Sequence, residues 1–331
     1  MRIATYNVEW FSNLFDDDGN LLDDDKWSGR HDVKRHQQLA ALAIVFTALD
    51  ADGIMIIEAP DSHRRRDGVL ALENFAETVG LRARKAVMGY VNETQQEIAF
   101  LYDPDVLTAE HDPIGTPTFD SAYRIDLDVD AAPEAVRWSK PPLELAVQTN
   151  TGVSLRMIGV HAKSKAPHGA RRPKEVMRIA IENRRKQLAQ CIWLRERVED
   201  HLDAAEPLIV LGDFNDGPGL DEYEKLFGRS GVEIVIGESD EMQLFDPHAE
   251  AVIQRRIGVM PASARFWVAN KKRWMQTLLD YVMVSPDLRE KTSEWRIWHP
   301  FDDPVCYRTP ELREALLTAS DHFPVSVELN I

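Results

Sequence analysis

The pattern of apolar runs predicts an α/β fold: two mixed β-sheets packed face to face, with helices covering their outer faces. Three observations carry that expectation. Unbroken apolar runs such as Ile54-Met55-Ile56-Ile57 and Leu208-Ile209-Val210-Leu211 read as strands buried on both faces. Strands outnumber helices, and the helices interleave with them only in part. Polar residues also cluster at the ends of these runs, and they can meet only if the strands run in both directions. Asn7, Glu58, His161 and Asp213 close their strands, whereas Asp280, Asp321 and His322 open theirs.

The elements follow in order. Arg2-Ile3-Ala4-Thr5-Tyr6 enters a strand. Residues 30–50 place Leu39, Leu42, Ala43, Phe46 and Leu49 at helical spacing, and 68–79 repeat a helical pattern. Strands are expected at 82–91 and 96–102. From 105 to 161 the chain is strand-like with proline breaks, and Leu143, Leu145 and Val147 alternate. The longest helix is expected over 174–202, stopped by Pro207, and a short one over 219–227. The stretch 228–275 is rich in glycine, polar groups and scattered aromatics, so it reads as loops with short strands. Leu278 to Val284 and Phe323 to Leu329 complete the strands.

The chain has 331 residues, 44% hydrophobic and 28% charged, with a net charge of −16. This is globular composition. Its acidity argues against a protein that coats nucleic acid by charge alone. It leaves room for an enzyme with a few basic groups at a cleft. Cys191 and Cys306 have no zinc-site spacing; Cys191 is expected to be a buried thiol, and a disulfide between the two stays open. No apolar run reaches membrane-spanning length. With no leader ahead of the first strand, a cytoplasmic location is expected. Candidate site residues run from 7 to 322, which predicts one domain over 1–331.

The residue types at the strand ends point to phosphoester chemistry. Clustered carboxylates repel one another and lose hydration in a cleft, and a cation relieves both costs. Glu58, Glu9, Asp213 and Asp321, with amide oxygens from Asn7 and Asn215, are hard oxygen ligands. They suit Mg2+, with Mn2+ as an alternative, better than zinc. Phosphodiester cleavage needs an activated water and relief of charge on the non-bridging oxygens. Asp213 would accept the water's proton while Asn215 positions the phosphate or the water. His161 and His322 would donate to the phosphate, with Asp280 orienting and charging His322. Lys163, Lys165 and Arg171 are candidate phosphate contacts.

Tyr6-Asn7-Val8-Glu9, Glu58 after its apolar strand, His161, Gly212-Asp213-Phe214-Asn215, Leu279-Asp280-Tyr281-Val282 and Ser320-Asp321-His322-Phe323-Pro324 together resemble the endonuclease/exonuclease/phosphatase superfamily, the deoxyribonuclease I-like fold. The resemblance covers nearly the whole chain in the family's motif order. It implies a four-layer αββα sandwich and metal-dependent phosphoester hydrolysis. It implies Glu58 as the metal ligand with Asn7, Glu9 and Asp321 nearby, Asp213 as base, Asn215 as orienter, and His322 with Asp280 beside the phosphate. His161-Ala162-Lys163-Ser164-Lys165 resembles the form found in nonspecific nuclease-like members. The fold alone does not name the substrate. Nucleic acid is the expected substrate, a small or lipid-derived phosphoester the alternative, and a noncatalytic binding module on the same fold the third reading. No protein partner is expected.

Overall fold

The structure is a computed structural model. It describes residues 1–125, 134–167, 172–218, 227–239, 242–254, 260–268 and 272–331. Among the described residues, fifteen strands run in chain order: β1 Arg2–Asn7, β2 Gly53–Ala59, β3 Lys85–Met88, β4 Glu97–Tyr102, β5 Leu107–His111, β6 Ala122–Ile125, β7 Glu134–Arg137, β8 Leu143–Thr149, β9 Ser154–His161, β10 Leu208–Asp213, β11 Ala264–Val268, β12 Arg273–Thr277, β13 Asp280–Val284, β14 Thr292–Ile297 and β15 Val325–Leu329. The main helices are α1 Arg35–Leu49, α2 Gly68–Val79 and α3 Pro173–Asp203, with a further outer helix at Pro310–Ala319.

Two sheets face each other. The first has strand order β14-β15-β1-β2-β4-β3, the second β13-β10-β9-β8-β5. Each is mixed. β1 runs parallel to β2 and antiparallel to β15; β10 runs parallel to β9 and antiparallel to β13. The strands that end on site residues therefore run toward one edge, and those that begin on them run away from it.

Alternation along these strands explains the layers. Ile209 and Leu211 of β10 join Met55, Ile57, Phe100, Leu145, Met157 and Val327 in the core between the sheets. Leu208 and Val210 point the other way, against Trp193, Leu194 and Val198 of α3. On the first sheet Ala4 and Tyr6 face Phe46 of α1, Phe75 of α2 and Leu316. Each strand thus serves two cores, which is why its sequence is apolar throughout. Close approach of the sheets needs Gly159: a Cβ there would lie 2.4 Å from Met55 Sδ.

Local chemistry sets the helix ends. The Asp67 carboxylate accepts from Val69 and Leu70 N–H at 2.9 and 3.2 Å, capping α2, and Gly80 closes it at φ 77°. α1 starts at Arg35 rather than 30, because the Gln37 side chain accepts from Lys34 N–H at 2.9 Å and residue 34 pairs with Trp27. β3 is shorter than expected, at Lys85–Met88. The expected short helix at 219–227 lies almost wholly outside the described residues. The stretch 228–275 differs most from expectation. It holds helices at Gly231–Ile236 and Pro247–Ile253 and the hairpin β11–β12. Ser230 and Asp246 cap those helices, a local signal that the scattered aromatics hid. Both cysteines are free and buried, which closes the disulfide question.

Candidate active site

Six strand ends converge at one edge of the sandwich. Asp213, the last residue of β10, is 1% exposed. Its Oδ1 accepts from Asn215 N–H at 2.7 Å, and Oδ2 accepts from Asn215 Nδ2 at 3.0 Å and Asn7 Nδ2 at 3.1 Å. The Asn7 contact joins β1 of one sheet to β10 of the other. His161 Nε2 lies 3.6 Å from Asp213 Oδ2. Burial, partly offset by His322, pushes the Asp213 carboxyl up to about 7.

The Gly-Asp-Phe-Asn turn explains itself locally. Gly212 sits at φ 138°, and a Cβ there would fall 2.0 Å from Val160 O, so only glycine lets β10 pass β9 at this point. Asn215 takes φ 50°, a conformation asparagine tolerates better than most residues. Gln187 of α3 then holds the turn from behind, donating to the carbonyls of Lys163, Phe214 and Asn215.

The second group is Asp280 and His322. His322 Nδ1 meets Asp280 Oδ2 at 2.7 Å, and the same oxygen accepts from Ser263 Oγ at 2.7 Å. Burial opposes a charge on His322, but Asp280 and Asp213 outweigh it and hold the imidazole well above its ordinary value. With Nδ1 given to Asp280, Nε2 is the nitrogen left for the pocket. Ser320 ties the segment to β1: its Oγ donates to Asn7 O at 2.7 Å. Asp213, Asp280 and His322 form a compact group whose ligand atoms all lie within 4.8 Å of one another.

The remaining acids sit on the first sheet. Glu58 lies at a register shift between β2 and β4, with φ 62°. A bulge re-aims its side chain out of the ladder, and a left-handed glutamate is a strained residue at a candidate site. Burial raises the Glu58 carboxyl; Lys140 and His322 oppose this and Asp321 adds to it. Burial and then Asp321 push Glu9 up to about 7. Glu9 is further committed, with an ion pair to Arg30 and an acceptor bond from Trp10 Nε1 at 3.0 Å.

These residues fit a divalent cation. Glu58 and Asp321 carry charges that repel each other in a partly desolvated place. Asn7 Oδ1 is buried with no hydrogen-bond donor, a hard oxygen left over. Glu9, with its oxygens engaged, belongs at the margin of that set.

Some positions depart from expectation. His161 is expected to donate to a phosphate. Instead Lys140 Nζ lies 2.9 Å from its Nε2, and an ammonium has only donors, so the imidazole accepts. Burial, then Lys140, holds His161 well below its ordinary value, which keeps it neutral. Lys140 lies just before Pro141-Pro142, outside any motif, and only its place in space marks it. Lys165 turns inward to Asp216 at 2.6 Å, where Arg184 also pairs at 2.7 Å. Its charge holds the turn after Asn215 rather than facing a ligand. Lys163 does not depart in this way: its N–H donates to Gln190 at 2.9 Å, and its charge bears on Lys140 beside the site. Arg171 lies outside the described residues. Ser263 also joins the site from outside any sequence motif.

A sequence profile described as the Endonuclease/Exonuclease/phosphatase family matches residues 4–322. The chain belongs to that family. Its deoxyribonuclease I-like fold also matches solved structures. The 3'-5' exonuclease NExo from Neisseria meningitidis is 16% identical, with TM-score 0.53 and 100% of each chain covered. A mannosyl-6-phosphatase from Bacteroides thetaiotaomicron is 16% identical, with TM-score 0.51 and 99% of each covered. Truncated TDP2 from Caenorhabditis elegans is 13% identical, with TM-score 0.51, covering 98% of this chain and 96% of that one. At these identities the likeness carries the fold alone. No curated protein sequence matches this chain. Family membership makes it a phosphoester hydrolase. Among the described residues, no helix is long and apolar enough to cross a membrane.

Proposed function

We propose that this chain is a Mg2+-dependent phosphodiesterase that cleaves nucleic acid. The observation that carries the reading is the meeting of Asp213 with the Asp280–His322 pair in one buried cluster, beside the acids of the first sheet. A carboxylate near its proton-transfer range and a fixed imidazolium are matched to opposite tasks.

When bound, the ion would neutralise charge growing on the phosphate oxygens. Glu58 and Asn7 Oδ1 would hold it, with Asp321 alongside. Asp213 takes the proton of the attacking water. The amides of Asn215 and Asn7 occupy the carboxylate from one side and so fix its direction. His322 donates from Nε2 to a phosphate oxygen, its charge sustained by Asp280. Lys140, braced by neutral His161, brings a second cation to the same phosphate. Donors fixed before the reaction lower the barrier because they need no reorganisation.

The test is turnover on single-stranded and duplex DNA, RNA and small phosphoesters, with magnesium, manganese or chelator. We expect metal-dependent diester cleavage that falls by about two orders of magnitude or more in Asp213→Ala and His322→Ala while the fold persists. Wild-type turnover in either variant would refute the assignment. The acidity of the chain favours the second reading, a small phosphoester, which the same panel separates.

A further inference from the structure

The chain's acidity is interrupted at one place. Between Glu250 and Asp280 there is no Asp or Glu, while Arg255, Arg256, Arg265, Lys271, Lys272 and Arg273 all fall there. In a chain with 55 acidic and 39 basic residues this is a local reversal of charge. The segment contains the hairpin β11–β12, directly ahead of Asp280.

The hairpin is fastened to the catalytic pair. Arg265 N–H donates to Asp321 O at 2.7 Å, Phe323 N–H donates to Ser263 O at 2.6 Å, and Ala264 bridges His322. Ser263 itself donates to Asp280. The register sets Trp267 opposite Trp274 and Arg265 opposite Gln276, so these four share one face. Trp267 is 50% and Trp274 54% exposed, with ring centroids 5.7 Å apart. The Arg265 guanidinium lies 4.0 Å from the Trp274 ring centroid and 5.7 Å from that of Phe301, which is itself exposed. Large aromatic rings left in water beside cations are unusual on a surface that only needs to be soluble.

We infer that this hairpin is a stacking platform for a single-stranded stretch of the polynucleotide whose phosphate enters the adjacent pocket. The inference rests on the proposed function and names its substrate class. Every base offers a flat face to an indole or a guanidinium, and exposed lysine and arginine attract the phosphates between bases. Bases paired inside a duplex do not present those faces, so the platform favours unpaired strands. Charge complementarity and continuity with Asp280 and His322 select this occupant over a protein.

The experiment uses the whole chain in chelator, where no cleavage occurs, with a fluorescein-labelled oligothymidylate and a duplex of equal length. We expect the single strand to quench tryptophan emission and to bind more tightly than the duplex. Affinity for it should fall at least tenfold in the Trp267→Ala/Trp274→Ala variant. Arg265→Gln with Lys272→Gln and Arg273→Gln should flatten the salt dependence. With metal restored, kcat/KM on the oligonucleotide should fall at least tenfold relative to that on a small aryl phosphodiester in the tryptophan variant. Unchanged affinity in that variant, equal binding of duplex, or concentration-dependent self-association through the tryptophans overturns the inference. Failure of the wild-type chain to cleave any diester instead overturns the functional reading, so the two outcomes are distinct.

Discussion

Lys140 shows how much a single residue's place in space can matter. Its ammonium sits half-buried against His161 and within the fields of Glu58 and Asp213. Desolvation pulls the Lys140 pKa below the ordinary lysine value, and Glu58 and Asp213 oppose that by relieving its charge. Replacement by methionine should lower kcat by about 100-fold, the size found for loss of one preorganised donor. Arginine should recover part of it, since charge is kept and geometry is not. Steady-state kinetics with a circular-dichroism check on folding decide this; a wild-type kcat for Lys140→Met would leave the residue a purely structural role. Asp213, Asn215, Asp280 and His322 were legible because each stands in a short polar motif at the end of an apolar run. Lys140 and Ser263 have no such frame. They reach the pocket through turns whose course the local sequence does not dictate.

At the scale of the element, the turn after β10 is the most constrained segment. Gly212 has no room for a Cβ, so Gly212→Ala should destabilise the chain by about 2 kcal/mol or more through backbone strain and contact with Val160 O. Asp216 is wholly buried and receives Lys165, Arg184 and the N–H groups of Gly217 and Gly231. Asp216→Ala leaves the 1%-exposed Arg184 without that carboxylate and should cost about 3–5 kcal/mol. Denaturant titration measures both, and a loss below about 1 kcal/mol for Asp216→Ala would count against its role as the anchor of the turn. Arg184 stands in the basic run Arg184-Arg185-Lys186. Burial shows that Arg184, at least, belongs to this anchor. The hairpin β11–β12 was the reverse case. Its strands are short, its face is exposed, and alternation is weakest where no core enforces it.

Over the whole molecule, the pocket exists only when both sheets are assembled, because Asn7 bonds to Asp213 across them. An ion held at Glu58 and Asn7 would therefore stabilise the folded chain as well as act in the reaction. Magnesium at about 100 times its dissociation constant should raise unfolding free energy by about 2.7 kcal/mol. Glu58→Gln should lose most of that increment, as read by thermal unfolding with and without chelator. An increment unchanged by Glu58→Gln would move the ion elsewhere. The strand directions demanded by the motifs, and the mixed sheets that follow, could be read from the chain because burial on both faces writes unbroken apolar runs into the sequence. The same is true of the carboxylates and imidazoles at the strand ends. Which groups face each other was settled only in three dimensions. Lys140 against His161, Lys165 turned inward to Asp216, and a tryptophan pair standing beside the pocket depend on loop paths and on desolvation. Those are properties of neighbours brought together by folding, and one-dimensional order carries little trace of them.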